Sequence, residues 1–62
     1  MPMQKNTAIN IAIEGIKKIM QPYAFDANMY EIYKATYPHA KNCYRKRERF
    51  REAIQILEDL KD

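Results

Sequence analysis

Gly15 is the only glycine in this 62-residue chain, and three prolines accompany it. Tight turns between strands draw heavily on Gly and on Asn-Gly or Asp-Gly pairs. A chain with one glycine therefore lacks the turns a multi-stranded sheet requires. Its apolar residues recur at spacings of three and four rather than alternating, which is the period of a helix. Both features predict an all-α fold.

The length allows one domain, residues 1–62, near the lower limit for folding without a staple. Cys43 has no second cysteine with which to form an intramolecular disulfide. With His39 it offers too few soft ligands for a structural zinc site, so no metal or cofactor is expected. The apolar stretch Ala8–Met20 is interrupted by Glu14, Lys17 and Lys18. It is too short and too charged to span a bilayer or to serve as a signal peptide. The expectation is a soluble, cytoplasmic protein.

Three helices are predicted after a loose lead-in over residues 1–6. The first spans about 7–20, capped by Asn6 or Thr7 and ended by Pro22, which disfavours the α conformation at Gln21. Its buried face comprises Ile9, Ala12, Ile13, Ile16, Ile19 and Met20. The second spans about 27–36, started by Asp26 or by the capping-box spacing Asn28…Glu31 and ended before Pro38. The third and longest runs over about 40–60, with Cys43, Phe50, Ala53, Ile54, Leu57 and Leu60 on one stripe. Ile11 and Ile56 are left over, and three short helices bury little apolar area, so a homodimer packed through the first and third helices is expected.

Within that third helix, Lys41–Arg51 holds six cations against Glu48 alone. The segment sums to +5 and the rest of the chain to −2, so the charge belongs to one surface. Lys41–Arg45, Arg45–Arg49 and Arg47–Arg51 are like-charge pairs four apart, each unfavourable by roughly 0.2–0.5 kcal/mol. Arginine suits bidentate phosphate contacts. Lys41, Asn42, Arg45, Lys46, Arg47, Arg49 and Arg51 are therefore the expected nucleic-acid-binding residues, with DNA favoured over RNA. A short helix, a break at Tyr37-Pro38-His39 and a basic helix also have helix-turn-helix order, although Pro38 stands where glycine is usual. In that arrangement Asn42, Arg45 and Arg49 would reach base edges. The alternative is an adaptor or inhibitor docking an acidic protein surface through the same helix.

Tyr30, Tyr33 and Tyr37 with Tyr44 could stack on bases, but bulky core-edge packing in a chain without Trp is the favoured account of them. His39 and Cys43, four apart, lack an orienting group and a pocket for nucleophilic catalysis. No enzyme is expected.

Overall fold

The computed structural model describes residues 2–62. It is all-helical, with two long helices where three were expected. Helix α1 spans Lys5–Ile32 and helix α2 spans Lys41–Asp59, with a 3-10 turn at Pro38–Ala40 leading into α2. The expected helices 7–20 and 27–36 are thus one continuous helix as far as Ile32, and residues 33–37 leave it. The expected third helix is found nearly as drawn.

The two helices lie antiparallel as a hairpin. Lys5 Nζ meets the Asp62 carboxylate at 3.3 Å at the open end. Near the turn the Tyr30 and Tyr44 rings pack with centroids 5.3 Å apart. A helix-turn-helix sets its helices at about 90–120°, so the side-by-side arrangement here is a different one.

The seam follows a strict alternation of three- and four-residue steps. On α1 it comprises Asn6, Ile9, Ile13, Ile16, Met20, Tyr23, Ala27 and Tyr30; on α2 it continues from Ala40 through Cys43, Arg47, Phe50, Ile54 and Leu57 to Lys61. Every one of these residues is buried or half-buried. This is the pattern that keeps one stripe of a helix facing its neighbour along its whole length.

The seam also accounts for Pro22, which lies inside α1. Proline removes one N–H and crowds the carbonyl four residues earlier. Seam residues flank it on both sides, Ile16 and Met20 before and Tyr23 and Ala27 after. Their shared contact with α2 holds the helix together across the missing bond. Pro38 has no such support, because the chain reverses there. Tyr33 accepts hydrogen bonds from the Thr36 and Tyr37 amides at 3.1 and 2.9 Å. Tyr37, ahead of the proline, leaves the helical region at φ −127°, ψ 43°.

Neither helix has a side-chain cap, an acidic residue in its first turn or a basic one in its last. Asn6, expected as a cap, instead accepts a hydrogen bond from the Asp62 amide at 3.0 Å. The helices depend on packing against one another rather than on their ends.

Because an interior proline costs a helix about 3 kcal/mol relative to alanine, Pro22→Ala should raise stability by roughly 1–3 kcal/mol. Urea unfolding followed by circular dichroism would show this as a higher midpoint. An unchanged midpoint would mean that α1 does not run unbroken through residue 22.

Candidate nucleic-acid interface

The basic segment divides into one buried cation and an exposed set. Arg47 falls on the seam, with only 2% of its surface exposed, and is the largest fully buried side chain among the described residues. Its Nη2 donates to the Glu31 carboxylate at 2.9 Å and to Glu48 at 2.7 Å. Its Nε donates to Glu48 at 3.2 Å, and Nη1 donates to the Asn28 side-chain carbonyl. The Tyr44 ring lies 5.2 Å from the guanidinium carbon. Each face of the fork is thereby satisfied, as a buried guanidinium requires.

Burial by itself would lower the Arg47 pKa, but the hydrogen bonds to Glu31 and Glu48 outweigh it and raise the pKa. The Arg47 hydrogen bond, reinforced by its charge, holds Glu31 below its ordinary 4.5. A carboxylate so lowered contributes stability in full above its unfolded pKa, and loses it as pH falls through the folded one.

The remaining expected contacts all stand on the surface. Lys41, Asn42, Arg45, Lys46, Arg49 and Arg51 are exposed. Helical spacing sets Lys41, Asn42, Arg45 and Arg49 on the side of α2 away from the seam. Lys46 lies on one flank, its ammonium 4.8 Å from the centre of the Tyr23 ring. Arg51 lies on the opposite flank, 3.5 Å from Glu48. Among the described residues Lys41, Arg45, Lys46 and Arg49 make no ion pair.

The charge follows the hairpin's length. Residues 21–52, the half nearest the turn, hold seven cations and four carboxylates; the remainder holds four of each. The whole net charge of +3 therefore resides near the turn. Two of the four carboxylates there, Glu31 and Glu48, are engaged by Arg47, which leaves the outer surface of α2 more cationic than composition suggests.

Arg47 had been grouped with the phosphate-binding residues, and the structure removes it from that surface. The signal was in the sequence: stepping back from Leu57 to Ile54 by three and to Phe50 by four leads, by the next three-residue step, to Arg47. The tyrosines do not form a platform. Tyr30 and Tyr44 pack at the seam, Tyr23 lies under Lys46, and the Tyr37 ring tilts against His39 at 5.2 Å. No group of three or more His, Cys, Asp or Glu that could hold a metal occurs among the described residues. Among the described residues no helix is long and apolar enough to cross a membrane. Compared with protein-family models, with curated proteins and with solved structures, the chain has no significant match.

A buried ion pair contributes little beyond what a well-packed apolar side chain would, whereas stripping its partners leaves a desolvated charge. Arg47→Leu should therefore unfold within about 1 kcal/mol of the parent or above it. Glu31→Ala with Glu48→Ala should lower the urea midpoint more than Arg47→Leu does; the reverse order would mean the guanidinium is not buried in solution. In acid, the parent should lose stability as pH drops below about 4.5. Glu31→Gln should flatten that decline, measured as urea midpoint against pH.

Proposed function

We propose that this chain binds nucleic acid, DNA in preference to RNA, through the outward surface of α2. Lys41, Arg45, Lys46 and Arg49 neutralise phosphates, Arg51 assists from the flank, and Asn42 is placed to meet a base edge. One observation supports this above the others: among the described residues four exposed cations stand without carboxylate partners, while the nearby Glu31 and Glu48 are held by Arg47. A surface meant only to be soluble gains nothing from like charges stacked at i,i+4, whereas a phosphate backbone relieves that repulsion directly. The role is binding rather than chemistry, and a homodimer would present the surface twice.

A second reading has its own observation. Phe25 and Ile32 project from the outer side of α1 with 70% and 67% exposure, near the same end as the cations. An acidic protein partner gripping this end would meet the cations on one edge and these apolar residues on the other, and the chain would then be an adaptor or inhibitor.

Fluorescence anisotropy with a random-sequence duplex, titrated in salt, tests the first reading. Neutralising about four phosphates gives a log–log slope of roughly −3 to −4. Arg45→Glu with Arg49→Glu should abolish binding while leaving the helical circular dichroism unchanged. Absence of binding at low salt, or an affinity indifferent to the double reversal, would overturn it. A single stoichiometric protein captured after nuclease treatment would favour the adaptor.

A further inference from the structure

The hairpin has two broad faces, and they differ. The Arg47 cluster identifies one: Asn28, Glu31 and Glu48 lie there. Helical spacing adds Asn10, Glu14, Lys17 and Gln21 from α1 and Arg51, Gln55 and Glu58 from α2, so that face is polar apart from Ala24 and Tyr44. The other is marked by Lys46 over Tyr23 and by a shallow depression lined by Tyr23, Lys46, Arg49, Phe50 and Ala53. The same spacing places Ala8, Ala12, Gly15, Ile19 and Pro22 of α1 on it, beside Ala53, Ile56 and Leu60 of α2. Ile19, Ile56 and Leu60 are 58%, 56% and 52% exposed.

From this face we infer that two copies of the chain pair along their lengths, related by a two-fold axis parallel to the hairpin, into a four-helix bundle with both turns at one end. The first argument is steric. The register fixed by Lys5–Asp62 and Lys46–Tyr23 sets Leu60 level with the gap between Ala8 and Ala12. Ile56 is then level with the gap between Ala12 and Gly15. An axis along the hairpin lays α2 of each copy over α1 of the other at equal height. The large residues of α2 then enter the spaces left by the small residues of α1. Gly15 has nothing within 4 Å of where its side chain would begin, so this space is open in the single chain. Ile19 of each copy falls over Ala53 and the adjoining depression.

The second argument is electrostatic. Asp26 lies on the same flank of α1 and forms no ion pair within the chain among the described residues. The same superposition brings it within one helical turn of Lys46 of the other copy, a distance the lysine stem spans. The third concerns area. The chain extends 52 × 18 × 13 Å, so the outline of a broad face is about 900 Å², large enough to hold the roughly 800 Å² per partner of a standard stable interface. Among the described residues the single hairpin buries Ile9, Ile13, Ala27 and Ala40 as its apolar core, a small core for a chain of this length.

Of the cations proposed to meet phosphate, Lys46 and Arg49 border this face, whereas Lys41, Arg45 and Arg51 lie outside it, so pairing and binding are tested separately. Light scattering on the purified protein at micromolar concentration should give the mass of a dimer. Ile56→Asp should shift it toward monomer with loss of helicity, whereas Ile11→Asp, on the outer side of α1, should leave it dimeric. Since a monomer would unfold, cross-linking supplies a second readout. In a Cys43→Ser background, Gly15→Cys and Ile56→Cys chains are mixed and oxidised. A Gly15→Cys to Ile56→Cys disulfide should form in much higher yield than Ile11→Cys to Ile56→Cys. A folded monomer at all concentrations, or equal yields for the two pairs, would overturn the proposal.

Discussion

A guanidinium occupies a position in the seam that its neighbours along the stripe would assign to leucine. Much of the hairpin's individuality follows from Arg47. Its fork requires acceptors on both helices, and Asn28 and Glu31 of α1 with Glu48 of α2 provide them. Apolar layers such as Ile13 against Ile54 and Leu57 tolerate sliding, because hydrophobic contact has no direction. A buried charge with fixed hydrogen bonds does not slide. Arg47 thus sets the axial alignment of the helices and makes one broad face of the hairpin polar.

The same residue shapes the outer electrostatics. By drawing in two carboxylates it separates the basic segment into a neutralised interior and an unpaired exterior. Lys41, Arg45, Lys46 and Arg49 then lack internal partners, and the positive end of the rod is a product of the folded arrangement as much as of composition.

The helical class was legible in the sequence because spacing and glycine content act locally, and α2 was legible because its apolar stripe is regular. The division of α1 at Pro22 was misread. A proline's local penalty is visible in the sequence, but the long-range packing of Ile16, Met20, Tyr23 and Ala27 that offsets it is not. Six of the seven residues assigned to phosphate contact do lie on the surface. Arg47 was misassigned because a charged side chain was presumed to face water, although the alternation of three and four leads to it directly. Ala12, Ile19 and Leu60 were counted as core and lie exposed instead, since a broad apolar face exceeds what one facing helix can cover.

Contacts across a hairpin span few residues near the turn and many at the open end, where Lys5 meets Asp62 across 57 positions. Closing the turn half costs the least chain entropy, and its seam combines Tyr23, Tyr30 and Phe50 with the small or polar Ala27, Ala40, Cys43 and Arg47. The other half holds Ile9, Ile13, Ile54 and Leu57 but lies at the far end of the loop. The half that closes readily is held by aromatic packing and a buried charge, and the aliphatic half closes behind it across the longer loop. Opening therefore starts at the termini, where the two ends of the chain have the longest way to return.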